Sequence, residues 1–338
     1  MPADLFARKR EWEQLGEFFD PEGGRSRLGI VHGRRRQGKT TLLESFAATL
    51  GGLMWQVSTP AYRDLLRTTP KPGRIREWAA REVLTLSAPL AREGQVVVTE
   101  DPALRERSLY FGVLGAIADG ARSPKDVAVA IGRTAGSVAF PLRVLSESGW
   151  IVQHADPLHQ RGTTIMLEEP MVRTRRLLID PFEARLRRAD REQALAVWDD
   201  NAHTIASRIL APHLERVAAQ WMMTRADPTT TGGRPSHVAP STIGRGAGAV
   251  QLDLVGTEPT GSGSHRVCCV GEVKSGATPM AASELDRLDA AVTRIGPRAD
   301  GATRLLVSRA GFTAELRRAT RGRPDVQLVD LERIYNGS

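Results

Sequence analysis

The apolar positions of this chain change spacing along its length, and each change marks an element. RLGIVH (27–32) is a short unbroken apolar run of the kind that forms a buried strand, and TTLLESFAATL (40–50) follows with helical spacing. GGLMWQVS (51–58) has the character of a second strand. VVVTED (96–101) looks like a strand ending in acids, but no βα unit precedes it, so a helix or linker is the expectation there. From Arg107, Leu109, Val113, Leu114 and Ile117 recur at helical spacing. In SPKDVAVAIG (123–132), Ser123 suits an N-cap, Pro124 the first helical position and Asp126 the acid of a capping box. TAGSVAFPLRVLSESGW (134–150) puts Val138, Leu142 and Leu145 on one face and ends at Gly149. IVQHADPLHQRGTTIMLEE (151–169) reads as two strands around a polar turn.

The second half has its own rhythm. Ile205, Ile209, Leu214, Val217 and Trp221 make a helical stripe, with Pro212 inside it and Glu215 beside it. A Gly/Thr/Pro-rich loop is expected over 227–248. VQLDLVG (250–256) and HRVCCVGEVKSG (265–276) predict a hairpin joined by TEPTGSGS. MAASELDRLDAAVTRI (280–295) is an amphipathic helix with Leu285, Leu288, Val292 and Ile295 inward. TRLLVSRAGF (303–312) predicts a strand, TAELRRATRGR (313–323) a basic helix, and VQLVDLERIY (326–335) a last strand-like piece, together an α/β sandwich.

Charge and composition narrow the classes. The chain has 338 residues, enough for two or three domains, and a net charge of +8, which favours polyanionic partners such as DNA. An arginine-rich solvated surface is the plainer reading of the same charge. No stretch approaches the roughly 20 apolar residues of a membrane span, and no secretory h-region follows the N-terminal charges. Cys268 and Cys269 are the only cysteines, and adjacent residues pair poorly as a disulfide. A cytoplasmic location without membrane partners is expected, and self-association is left open.

GRRRQGKT (33–40) fits G-x-x-x-x-G-K-[ST] at every fixed position. Gly33 and Gly38 would let backbone N–H groups face phosphate oxygens, Lys39 would reach the β and γ phosphates of ATP, and Thr40, followed by Thr41, would serve Mg2+. A working ATPase also needs an acidic second strand and several βα units. The stretch from Gly33 to Arg105 is too short for them, so ATP binding is open and hydrolysis is not expected.

Three helices followed by a hairpin are the plan of a winged helix-turn-helix. Arg143 and Arg133 would meet DNA from the third helix, and His159, Gln160 and Arg161 would form the wing. Such a module also docks proteins, and Pro141 falls inside the third helix unless that helix starts late. In the C-terminal hairpin, Glu272 and Lys274 share a face of an otherwise apolar strand, with Asp253 on its neighbour. Buried charges are costly unless paired or bound to a metal. Two carboxylates and a lysine suit Mg2+-assisted phosphodiester hydrolysis, with Asp253 and Glu272 holding the ion and Lys274 orienting or activating water. A structural Glu–Lys pair is the alternative.

Together these motifs resemble the archaeal-type, or DEXX-box, ATPases. FARKREWEQL supplies Phe6, Lys9 or Arg10, and Glu13 of an opening motif; GRRRQGKT supplies the P-loop; LDLVG, GEVKSG and LLVSRAGF match a terminal PD-(D/E)XK nuclease-like domain. The resemblance implies that Asp253, Glu272 and Lys274 are the nuclease triad and that Glu215 is the helix acid beside them. It also implies an internal deletion near Ser58–Thr59, because GGLMWQVS runs straight into TPAYRDLL where family members carry a long ATPase core. The expected fold is therefore α/β multidomain: a truncated P-loop NTPase segment (1–58), a linker (59–103), a winged helix-turn-helix (104–170) and a PD-(D/E)XK restriction-endonuclease-like domain (171–338). A non-catalytic DNA- or protein-binding module, and an ATPase completed by another chain, are the competing functions.

Overall fold

The computed structural model describes residues 12–13, 73–92, 104, 106–159, 162–244, 246–260 and 264–336. They show a multidomain α/β protein with several helices and two sheets, one of two strands and one of five. The chain divides into two compact units, one running to Val152 and resuming over Leu167–Asp200, the other holding Gln153–Met166 and everything from Asn201 onward. Among the described residues no single helix is long and apolar enough to cross a membrane.

In the first unit, α1 (Ile75–Glu82) is followed by α2 (Arg107–Ala118), α3 (Pro124–Ala130) and α4 (Ala135–Glu147). Helix α3 starts as its sequence demands. Ser123 Oγ accepts the Asp126 N–H at 3.2 Å, and Asp126 Oδ2 accepts the Ser123 N–H at 3.1 Å. Val113, Leu114, Ile117, Val127, Val138, Leu142 and Leu145 are buried where the helices meet. Pro141 lies buried inside α4, so the helix accommodates it rather than starting after it. Strands β1 (Ile151–Ala155) and β2 (Thr163–Leu167) pair as the small sheet. Helix α5 (Arg191–Asp200) lies against α1, where Asp199 receives both nitrogens of the Arg76 fork.

The second unit is built on one mixed sheet. Helix α6 (Ala211–Thr224) precedes β3 (His237–Ile243), β4 (Val250–Pro259) and β5 (His265–Lys274), which run antiparallel. Helix α7 (Ser283–Ile295) then carries the chain to β6 (Thr303–Ser308), parallel to β5. Helix α8 (Ala314–Ala319) leads to β7 (Val326–Val329), parallel to β6, and α9 (Leu331–Asn336) follows. The strand order is β3-β4-β5-β6-β7. Leu214, Val217, Trp221 and Met222 of α6 pack with Leu254, Val273, Leu305 and Val307 on one face. Leu285, Leu288 and Ala291 of α7 pack with Leu252, Val255, Val270 and Leu306 on the other.

Two expectations are corrected here. The stretch 227–248 is not all loop, since it contains β3, an edge strand whose Pro240 sits at an irregularity in the ladder. An edge or a bulge is where a strand tolerates proline. VQLVDLERIY is not one strand-like piece either. It breaks after Val329, where Asp330 Oδ1 accepts the Arg333 N–H at 2.9 Å and starts α9. The P-loop positions Gly33, Gly38, Lys39, Thr40 and Thr41 lie outside the described residues, as do Phe6, Lys9, Arg10, GGLMWQVS, VVVTED and Arg161.

Candidate active site

Asp253 owes its orientation to the irregularity opposite Pro240. Between the pairs Ala239↔Val255 and Ser241↔Leu252, β3 contributes one residue and β4 contributes two, Asp253 and Leu254. A bulge of this kind re-aims a side chain, and Pro240 has no N–H to leave unpaired there. The packing records the step: Leu252 and Val255 both join the layer under α7, while Leu254 joins the layer under α6. The ladder between β4 and β5 ends at Leu254↔Gly271. One residue further, Asp253 Oδ2 accepts the Val273 N–H at 2.9 Å, so a carboxylate replaces the backbone acceptor.

Strand β5 continues alongside β6 through Glu272↔Leu306 and Lys274↔Ser308. Glu272 is only 3% exposed, and both of its oxygens are held by cations. Lys274 Nζ donates to Oε1 at 2.7 Å, and Arg287 of α7 donates to Oε2. Glu284, one helical turn before Arg287, faces the same two cations, with Lys274 at 3.2 Å and Arg287 at 3.6 Å. Two acids and two bases thus close a ring at the end of β5. Helix α7 is fixed from its other flank, where Asp289 accepts hydrogen bonds from Arg304 at 2.9 Å and Arg323 at 2.7 Å.

The titration of these groups follows from burial. Desolvation and the negative charge of Glu215 push the Asp253 carboxyl up to about 6, against smaller opposing effects of the Val273 N–H, Lys274 and Arg287. Burial and the charge of Asp253 also raise Glu272. Burial pulls Lys274 down, but the Glu272 hydrogen bond and the charges of Glu272 and Glu284 outweigh it, so the ammonium titrates above its ordinary range. Asp253, Glu272, Lys274 and Glu215 therefore sense one another's charge. Glu215 stands half-buried on α6, next to the buried stripe.

The hard carboxylate oxygens of Asp253 and Glu272 are of the type Mg2+ takes, usually one or two together with water. Among the described residues no three His, Cys, Asp or Glu side chains converge in a group that could hold a metal ion. Lys274 holds Glu272 Oε1 and Arg287 holds Oε2, so an ion could reach Glu272 only by displacing one of these two cations.

Compared with protein-family models, curated proteins and solved structures, the chain matches none of them. Its site stands on its own geometry.

The other sequence-derived residues are not gathered with these. Arg133 and Arg143 are exposed in the first unit, just before and within α4, and the Arg143 guanidinium lies 5.3 Å from the centre of the exposed Phe140 ring. His159 belongs to the second unit, where its Nδ1 lies 3.2 Å from Asp156 Oδ1. Sequence reasoning missed Arg287 and Glu284. Their signal was present in SELDR, an acid and a base three apart on the helix that directly follows the charged strand. It also missed Ser308, fully buried beside Lys274 in the register, whose Oγ finds no partner.

Proposed function

We propose that the second unit is a Mg2+-dependent DNA-cleaving domain and that the first binds DNA through α4. The observation that carries this reading is the bulge at Asp253, which sets a half-buried, hard-to-ionise carboxylate within electrostatic reach of Glu272 and Lys274. The order helix, three antiparallel strands, helix, parallel strand supports a PD-(D/E)XK nuclease core, and α2, α3 and α4 followed by a hairpin support a winged helix. Bound between Asp253 and Glu272, Mg2+ would supply Lewis-acid polarisation of a phosphodiester and a more acidic water. Lys274 stays cationic, so it holds phosphate oxygen or water by donation and steadies negative charge rather than taking a proton. The P-loop residues leave ATP binding as a further part of the proposal, with hydrolysis not expected.

The ring around Glu272 favours one competing reading, a structural ion network in a protein that only binds. The two separate in one variant. Lys274→Ala should lose Mg2+- or Mn2+-dependent DNA cleavage while still retaining DNA in a gel-shift assay. Cleavage that persists unchanged in Lys274→Ala contradicts the nuclease reading.

A further inference from the structure

The β1–β2 hairpin makes one wall of a second site. Arg298, in the turn after α7, donates to Pro157 O at 3.0 Å and Leu158 O at 3.1 Å. Ser241 Oγ donates to Asp156 Oδ1 at 2.6 Å, and His237 Nε2 lies 2.8 Å from Ala155 O. Arg298, His237 and Asp156, with Thr260, Ser264 and His265, line a cleft of ≈ 770 Å³. That volume lies within the range of small-ligand sites, about 300–1,000 Å³.

Among the lining residues, Leu158 and Pro297 give apolar surface, and His265 and Arg298 give exposed donors, while the His159 ring pairs with the Asp156 carboxylate. The acids nearby are already engaged. Asp156 Oδ1 accepts from the backbone N–H groups of Leu158 and His159 as well as from Ser241. Glu258 takes the Arg266 guanidinium at 2.6 Å. Arg298 donates only to neutral carbonyls, and among the described residues no carboxylate forms an ion pair with it. A ligand here meets the Arg298 guanidinium and the His265 ring beside the apolar surface of Leu158 and Pro297. That pairing suits a phosphate joined to a ring that can stack.

We infer that this cleft holds one nucleotide unit of a nucleic-acid strand, with its phosphate at Arg298 and His265 and its base against Leu158 and Pro297. The inference rests on the nucleic-acid reading above but concerns a separate place. Thr257 and Thr260, which line the cleft, lie four and seven residues along the chain from Asp253, roughly 13 to 23 Å at strand rise, so the cleft is a separate place from the carboxylates.

The test is fluorescence anisotropy of the full chain with a short labelled oligothymidine, without divalent ions. Arg298→Ala should weaken binding about tenfold and His265→Ala several-fold, since phosphate contacts dominate such affinities. Arg298 also holds the hairpin, so the exposed His265, whose loss should not change the melting temperature, keeps the test free of folding effects. Unlabelled dTMP should compete at concentrations where inorganic phosphate does not. Unchanged binding in both cleft variants would overturn the site, and so would equal competition by phosphate. Binding of dTMP with no binding of the oligothymidine would overturn the strand assignment. A failure of cleavage leaves all of these outcomes readable, so the two proposals fall separately.

Discussion

At the scale of single residues, Asp253 works against stability. A carboxyl whose pKa is raised by folding costs the fold nothing below its ordinary value of 3.8 and the full penalty above about 6. Asp253→Asn keeps an oxygen for the Val273 N–H and removes the charge. Its unfolding free energy should exceed that of wild type by roughly 1–3 kcal/mol at pH 8, with the gain vanishing by pH 4, in urea titrations at the two pH values. Equal effects at both pH values would mean that the burial of this charge is not what raises it. Arg287 acts on the neighbouring oxygen. Arg287→Met should tighten Mn2+ binding about tenfold in calorimetry, because it frees Glu272 Oε2. No change would mean that the guanidinium does not compete with an ion. The electrostatic contact of Asp253, Glu272 and Lys274 was readable in the sequence because charges inside an apolar strand need a reason. Arg287 was not, because helix 280–295 shows its apolar stripe first and its charged edge only once β5 is placed beside it.

At the scale of elements, local chemistry made some boundaries legible and hid others. The Ser123, Pro124 and Asp126 signature announced α3, and Ser123→Ala should cost about 1 kcal/mol in chemical denaturation. Strand β3 was invisible because Pro240 and its Gly/Thr-rich flanks read as a loop. Only pairing with β4 turns the proline into a bulge partner. The approach to β3 holds a further constraint. Gly232 has φ +66°, and a Cβ there would meet Cys268 O at 2.5 Å. Gly232→Ala should therefore lower stability by about 2 kcal/mol or more, read as a drop in melting temperature. A melting temperature equal to wild type would show that the β5 backbone can move aside. Glu215 was legible as an acid beside a helical stripe, but its effect on Asp253 depends on how α6 lies on the sheet, which no spacing rule supplies.

At the scale of the whole molecule, the proposed DNA contacts are the exposed Arg133 and Arg143 of the first unit, in a chain of net charge +8. Arg143→Ala should weaken DNA binding and reduce the salt dependence by about one released counterion, measured as the slope of log affinity against log salt. An unchanged slope would remove α4 from the interface. The division into two compact units was foreshadowed by the change of rhythm along the chain. The transfer of Gln153–Met166 to the second unit was not, because the hairpin's partners Ser241 and Arg298 lie far along the sequence. The central claim is that Asp253, Glu272 and Lys274 form a metal-dependent DNA-cleaving site. The measurement that tests it most directly is plasmid and single-stranded DNA cleavage with Mg2+ or Mn2+ by wild type, Asp253→Ala and Lys274→Ala, with and without ATP. The account predicts cleavage by wild type alone, indifferent to ATP. Equal cleavage by all three proteins, or none by wild type under either ion, would contradict it.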